Sequence, residues 1–170
     1  MSAPIVVFCI GNPSRGDDAL GPACARRLEA WIAARHLSER IEVIEDFQLN
    51  IEHALDLQGR AAVIFVDAGC AGAAHAPPFD FYPIGPVDRR THSTHALPPE
   101  GVLHVLSRLP EMPVPPAWVL CIRGAAFELG AGLSPKAEGH LTAAFAFLTE
   151  LLLRAALDTW PACRPAGAQR

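Results

Sequence analysis

Two adjacent aspartates, Asp17 and Asp18, close a loop that follows the first apolar run of the sequence. The loop reads Gly-Asn-Pro-Ser-Arg-Gly-Asp-Asp over residues 11–18. Its two glycines are spaced as in a phosphate-binding loop, but aspartates stand where such a loop has Lys followed by Ser or Thr. Because carboxylates repel phosphate and attract cations, the loop predicts a site for a divalent metal or for a polar group bound through carboxylate.

The same aspartates have a structural interpretation. Aspartate at the start of a helix caps free N–H groups and complements the helix dipole. Two adjacent aspartates cannot both cap a helix in the same way. We therefore expect Asp17 to be the structural or orienting member of the pair, and Asp18 to be the stronger candidate for function.

Alternating strand and helix patterns predict the elements that position this loop. Most of the strand candidates are continuous apolar runs, as in strands buried on both faces: 4–10, 41–46, 62–67, 79–84 and 117–122. Amphipathic or capped segments predict helices over 19–35, 51–57, 99–109 and 135–157. The order β-α-β-α-β-β-α-β-α predicts an α/β fold, a three-layer α/β/α sandwich around a mostly parallel, roughly five-stranded twisted sheet.

Polar side chains follow the ends of the predicted parallel strands, where ligands bind in open α/β sheets. Asp46 closes the second strand and Asp67 the third, so both should lie near Asp18. The loop after the fourth strand adds His92 and His95, between which the residues alone do not choose. Carboxylates and an imidazole can form a three-ligand metal site with open positions. Each also has an ordinary interpretation: a turn cap for Asp67, a salt bridge to Arg for Asp46, and solvated rings for the histidines.

Four motifs occur in an order and at a spacing known from one family. They are Gly11-Asn12 with Asp17-Asp18 and Gly21, then Asp67-Ala68, then Ser93-Thr94-His95, then Gly132-Leu133-Ser134-Pro135. On these motifs the chain resembles the [NiFe]-hydrogenase maturation proteases from residue 4 to about residue 157. The resemblance implies an endopeptidase, grouped with the aspartic endopeptidases, that removes the C-terminal extension of the hydrogenase large-subunit precursor after nickel insertion.

The resemblance also implies roles for individual residues. It assigns metal contact and catalysis to Asp18, Asp67 and His95, and so selects His95 over His92. It implies that no cofactor is permanently bound, because the nickel that these residues recognise is carried by the substrate. Whether a carboxylate activates water or the metal polarises the carbonyl is left open.

The segment after the second strand departs from the Gly-rich stretch of many family members. It reads Asp-Phe-Gln-Leu-Asn-Ile-Glu-His over residues 46–53 and resembles the branch that serves soluble NAD-reducing, bidirectional hydrogenases. Phe47 and Gln48 are our predictions for partner discrimination, with burial of Phe47 in the core as the alternative. Asp17 and Asp46 are further candidates for substrate recognition or for orienting the site.

Composition and charge exclude several classes of partner. The chain has 170 residues, of which 51% are hydrophobic and 19% charged, with a formal charge of -4, so we expect one globular domain and no nucleic-acid partner. The absence of a membrane-length apolar run or a signal-peptide pattern predicts a cytoplasmic protein with no membrane partner. We expect the domain to cover residues 1–157. Residues 158–170, rich in Pro, Ala, Gly and Arg, are expected to form a disordered tail.

Rival functions remain open beside the protease. One is a metallo-hydrolase with its own permanent metal, and another is a nickel chaperone or assembly factor that cleaves nothing. A nucleophilic Cys70 is a weaker candidate, because no histidine or helix N-terminus is assigned to lower its pKa. The five cysteines form no C-x-x-C pair, which favours reduced, buried thiols.

Overall fold

The apolar runs form a single five-stranded sheet. In the computed structural model, which describes residues 2–69, 76–88, 97–154 and 160, the strands are β1 (Ile5–Ile10), β2 (Ile41–Asp46), β3 (Ala62–Gly69), β4 (Phe79–Ile84) and β5 (Ala117–Arg123). Their order across the sheet is β2-β1-β3-β5-β4. All neighbours pair in parallel except β4, which pairs antiparallel with β5. The predicted, mostly parallel sheet is therefore confirmed.

The helices follow the predicted order along the chain. They are α1 (Leu20–Ala34), α2 (His53–Asp56), α3 (Pro99–Ser107) and α4 (Pro135–Leu153), with a 3-10 turn over Gly16–Ala19. Ser134 caps α4 with its side chain, as predicted. The helix ends earlier than predicted, at Leu153 rather than at residue 157, because Arg154 has an extended backbone with ψ 118°.

Helices cover both faces of the sheet. Residues on one face, such as Val7 and Ile64, pack with α1 and α4, whereas Phe8 and Phe65 on the other face pack with α2 and α3. This arrangement confirms the α/β/α sandwich and explains why every residue of β1 is buried. Removing a ring as enclosed as Phe8 would cost about 3–5 kcal/mol of stability.

Two glycines hold the loop of Asp18 against the end of β1. A Cβ on Gly21, in the first turn of α1, would lie 2.0 Å from the carbonyl oxygen of Ile10. Gly11 has a positive φ of 148°, and a Cβ there would lie 2.0 Å from the carbonyl oxygen of Asp18. Only glycine permits these approaches, so the loop must fold back tightly over the strand end.

The last described residue, Trp160, lies within the segment predicted to be a tail. It is only 3% exposed, and its ring meets the ring of Trp118 edge-on at a centroid distance of 4.9 Å. Packing therefore extends to this residue, beyond the predicted limit of the domain. Residues 155–159 and 161–170 lie outside the described residues, so the disordered tail remains a prediction for them. None of the helices in the described ranges is long and apolar enough to cross a membrane.

Candidate functional site

Asp18 and Asp67 come together at the carboxyl edge of the sheet. Cys9 pairs with Val66, so Asp67 lies level with the end of β1, and the 3-10 turn that carries Asp18 contacts β3. Oδ2 of Asp18 accepts a hydrogen bond from the N–H of Asn12 at 3.0 Å. Oδ1 of Asp67 accepts one from its own neighbour, the N–H of Ala68, at 2.7 Å. Within the described ranges, each carboxylate has a second oxygen with no hydrogen-bond partner.

The two carboxylates interact electrostatically. Burial raises the pKa of Asp67 to about 6, the N–H of Ala68 opposes that rise, and the negative charge of Asp18 adds to it. Such a shift is typical of groups at functional sites. A cation between the two side chains would relieve their repulsion, so the pair can contribute two oxygen ligands to a metal.

The predicted imidazole ligand lies outside the described residues. His95 and its alternative His92 both fall in residues 89–96, and Cys70 falls in residues 70–75, which are likewise outside. In the ranges that the structure does describe, no cluster of three His, Cys, Asp or Glu side chains could hold a metal ion. Two of the three predicted ligands are thus brought together, and the assignment of the third stays a prediction.

Asp17 is fully buried, in contrast to its neighbour. Its Oδ2 accepts hydrogen bonds from the N–H groups of Ala125 at 2.6 Å and Ala126 at 2.9 Å, and from the hydroxyl of Ser134 at 2.8 Å. Its Oδ1 accepts one from the N–H of Ser134 at 2.7 Å. Burial alone would raise the pKa of Asp17, but these hydrogen bonds outweigh it and lower the pKa. Such enclosure argues against the predicted role in substrate recognition and favours the structural one.

Asp46 is paired with a histidine rather than with the arginine that the sequence suggested. Its Oδ2 lies 3.3 Å from Nε2 of His53, and its Oδ1 accepts the N–H of Phe47 at 2.6 Å. His53 is only 6% exposed, and its Nδ1 accepts the N–H of Asn50 at 3.0 Å. Since Nδ1 is used to accept the N–H of Asn50, the ring faces Asp46 with its other nitrogen, Nε2, at ion-pair distance. The pair therefore fixes the segment between β2 and α2, a role that our sequence analysis missed for His53.

Three exposed apolar side chains, Phe47, Ile51 and Leu55, follow β2, in the connecting segment and in α2, and we call them the exposed apolar patch. These side chains are 63%, 59% and 58% exposed, respectively. The alternative that Phe47 belongs to the core is therefore wrong. Gln48 is also exposed. Apolar side chains grouped in this way often mark a protein-protein contact, so recognition by Phe47 and Gln48 stays a prediction that their position permits.

Comparison with known proteins shows similarity in fold. No protein-family model and no curated protein sequence matches the chain. The hydrogenase maturating endopeptidase HybD from E. coli has a TM-score of 0.67 and 21% identity, over 87% of this chain and 91% of that chain. The [NiFe] hydrogenase maturation protease HycI from Thermococcus kodakarensis has a TM-score of 0.62 and 19% identity, over 88% of this chain and 92% of that one.

A hydrogenase 2 maturation peptidase from a Thaumarchaeota archaeon extends the comparison, with a TM-score of 0.60 and 19% identity over 87% of this chain and 97% of that one. At these identities the likeness shows a shared fold. It is the fold that the four motifs implied, so the resemblance to the maturation proteases is confirmed at that level. The NAD-reducing branch stays a prediction.

Proposed function

We propose that this protein is an endopeptidase that removes the C-terminal extension of a [NiFe]-hydrogenase large-subunit precursor. The observation that carries the proposal is the pairing of Asp18 with Asp67 at the carboxyl edge of a sheet whose fold is shared with hydrogenase maturation endopeptidases. The motifs that led to these two residues also contain His95, which completes the proposed set.

Nickel enters this proposal as part of the substrate. Asp18, Asp67 and His95 would contact nickel already inserted in the precursor, and this contact would hold the scissile bond at the site. The described geometry supports such a role, because the two carboxylates repel each other and, among the residues that the structure describes, only one oxygen of each accepts a hydrogen bond. Carboxylate oxygen and imidazole nitrogen are both suitable ligands for a divalent transition metal.

The chemistry of cleavage would use the same pair. A carboxyl group with a pKa of about 6, like that of Asp67, is mostly ionised at neutral pH and is a stronger base than an ordinary aspartate. Its oxygen that does not contact nickel can therefore take a proton from an attacking water and pass it to the leaving amine. A positioned base of this kind contributes about 10²–10⁴-fold to a rate.

The precursor itself is the partner that we propose for the exposed apolar patch. Phe47 directly follows Asp46, the last residue of β2, so the patch begins at the same edge of the sheet as the carboxylate pair. A large subunit docked there would bring its C-terminus close to Asp18 and Asp67. Gln48 lies beside Phe47 and would contribute polar contacts.

Mass spectrometry of the precursor tests the proposal. Nickel-loaded precursor is incubated with the wild-type protein, with Asp67→Asn, and with Glu138→Gln as a matched control for loss of a carboxylate on the exposed face of α4. We expect the wild type and the control to release the C-terminal fragment and Asp67→Asn to leave the precursor intact. Stable binding of the wild type to the precursor without any loss of mass would contradict an endopeptidase and indicate an assembly factor.

A further inference from the structure

We propose that Asp17 is a positioning residue, which acts with Ser134 to hold Asp18 in the place that cleavage requires. The proposal rests on the proposed function for its activity test, but its structural part can be measured independently. It concerns a set of contacts between the loop of residues 11–18 and the segment of residues 124–134, which links β5 to α4. We call this set the Asp17 clamp.

The clamp joins the two segments through backbone as well as side chain. The N–H of Asp17 donates to the carbonyl of Ala126 at 2.7 Å, while the N–H of Gly16 donates to the carbonyl of Ala131 at 3.0 Å. In the opposite direction, the N–H of Gly130 donates to the carbonyl of Ser14 at 2.7 Å. The four hydrogen bonds to the Asp17 carboxylate add to these contacts, so the two segments are held together along their length.

The two segments approach each other closely at two glycines. A Cβ on Gly16, whose φ is +54°, would lie 2.4 Å from the carbonyl oxygen of Ala126. A Cβ on Gly124 would lie 2.8 Å from the Cβ of Asp17. Distances this short mean that a side chain would not fit at either position, so glycine allows the two segments to lie in direct contact.

Ser134 connects the clamp to a long helix of the core. Its hydroxyl donates to Oδ2 of Asp17 at 2.8 Å and accepts the N–H of Ala137 at 3.2 Å, which caps α4. Because α4 packs against the sheet and α1, the start of this helix is a fixed point. Through its hydrogen bonds to Ser134, Asp17 is attached to the start of this helix.

Asp18 follows directly in a short, hydrogen-bonded turn. Its N–H donates to the carbonyl of Arg15 at 3.1 Å, and its carboxylate accepts the N–H of Asn12 at 3.0 Å. With Asp17 held on one side and Asn12 on the other, the carboxylate of Asp18 is held in a defined position at the end of β1. Buried, satisfied partners are the usual means by which a reacting group is held within tenths of an ångström.

The test uses Ser134→Ala, which removes both the hydroxyl's hydrogen bond to Asp17 and its cap of α4, and Ser134→Thr, which keeps a hydroxyl. Arg27→Ala is the matched control, because it breaks an exposed ion pair to Glu138 in the first turn of α4 without touching Asp17. Amide hydrogen exchange of Asn12 reports on its bond to Asp18, and exchange of Leu106, in the buried part of α3, reports on opening of the whole protein. All measurements are made where every variant is fully folded.

We expect Asn12 to exchange about tenfold faster in Ser134→Ala than in the wild type, with Leu106 unchanged relative to the Arg27→Ala control. Ser134→Thr should restore slow exchange of Asn12. Processing of nickel-loaded precursor should fall about 10- to 100-fold in Ser134→Ala and recover in Ser134→Thr, since misplacement of a reacting group by 1 Å can cost a factor of this size. Asp17→Asn should have a larger effect, and if it does not fold, the Ser134 variants still decide.

Three results would overturn the positioning role, two of them in Ser134→Ala alone. One is unchanged exchange of Asn12 in Ser134→Ala, and the other is a wild-type processing rate in that variant. Faster exchange of Asn12 and Leu106 to the same extent would indicate general destabilisation and would also contradict the proposal. If the wild type cleaves no precursor, the proposed function fails, but the exchange of Asn12 still tests whether the clamp positions Asp18.

Discussion

Replacing Asp67 by Asn should make the protein more stable and abolish its activity. The pKa of Asp67 is raised from 3.8 to about 6, chiefly by burial. A carboxyl group that ionises less readily in the folded than in the unfolded state opposes folding once the pH is high enough to ionise it. Asn keeps the oxygen that accepts the N–H of Ala68 but has no charge, so it removes this cost and a ligand at the same time.

The magnitude follows from the two pKa values. Ionisation of Asp67 does not change the free energy of unfolding at pH well below 3.8. It lowers that free energy progressively as the pH rises from 3.8 to about 6, and by a constant amount above that range. A shift from 3.8 to about 6, at about 1.4 kcal/mol per pKa unit, gives about 3 kcal/mol at pH 7 and about 1 kcal/mol at pH 4.5. These are upper values, because the side chain is partly exposed and solvent screens part of the charge.

Urea unfolding at the two pH values measures the effect. We expect the midpoint of Asp67→Asn to exceed that of the wild type at pH 7, with a smaller difference at pH 4.5 and the same m-value. Asp17→Asn is the matched control, and its stability at pH 7 should change in the opposite direction. The pKa of Asp17 is lowered, so its carboxylate stabilises the fold above the unfolded pKa of about 4, and this stability is lost as the pH falls.

Asp17→Asn should therefore lower the stability at pH 7, by about 1–3 kcal/mol for a lost acceptor in a buried network. The reasoning is refuted if Asp67→Asn is less stable than the wild type at pH 7, or if its gain is the same at both pH values. If Asp67→Asn is stabilised but still processes precursor at the wild-type rate, the raised pKa of Asp67 is supported. The functional role of Asp67 is then contradicted.

Three further predictions concern the metal-contacting residues and the patch. Asp18→Ala and His95→Ala should fold, as judged by circular dichroism and thermal unfolding, yet leave the precursor uncut; a wild-type rate in either variant contradicts the assignment. The affinity of the isolated protein for Ni(II) or Cd(II), measured by calorimetry, should weaken as the pH falls from 7.5 to about 5.5, because the imidazole ligand and the Asp67 carboxylate, whose pKa is raised to about 6, become protonated. In the same titration His92→Ala should lose less affinity than His95→Ala, and the reverse order would select His92. Phe47→Ser should raise KM for the precursor with little change in kcat, whereas Leu129→Ser, at an apolar residue 79% exposed elsewhere, should not; equal KM values for the two variants would remove the patch from recognition.

Much of the fold could be predicted because its strands are continuous apolar runs that end at turn residues. The strands Ile41–Asp46 and Phe79–Ile84 were predicted to the residue. The end of α4 was not, since the sequence remains apolar past Leu153 while the backbone of Arg154 leaves the helix. Trp160 was likewise assigned to a tail from local composition, whereas its burial depends on a distant partner, Trp118.

The candidate site divides in the same way between local and distant interactions. That Asp18 and Asp67 meet could be inferred, because the ends of parallel strands share one edge of the sheet. The partners of Asp17 could not, because Ser134 is 117 residues away in sequence and its contact depends on how α4 docks. His53 was missed for a different reason: it lies in a four-residue helix, and its contact with Asp46 has no recognised sequence pattern.

Cleavage of nickel-loaded and nickel-free precursor by the same enzyme preparations decides whether the protein recognises nickel that the substrate carries. Each precursor is incubated with metal-free enzyme and with enzyme that has been loaded with Zn(II) or Ni(II) and then desalted, and loss of the C-terminal fragment is followed by mass. If Asp18, Asp67 and His95 recognise nickel held by the substrate, the loaded precursor is cut by metal-free enzyme and the nickel-free precursor is cut by none of the preparations. Efficient cleavage of nickel-free precursor by the metal-loaded enzyme would contradict the account and indicate a hydrolase with a metal of its own.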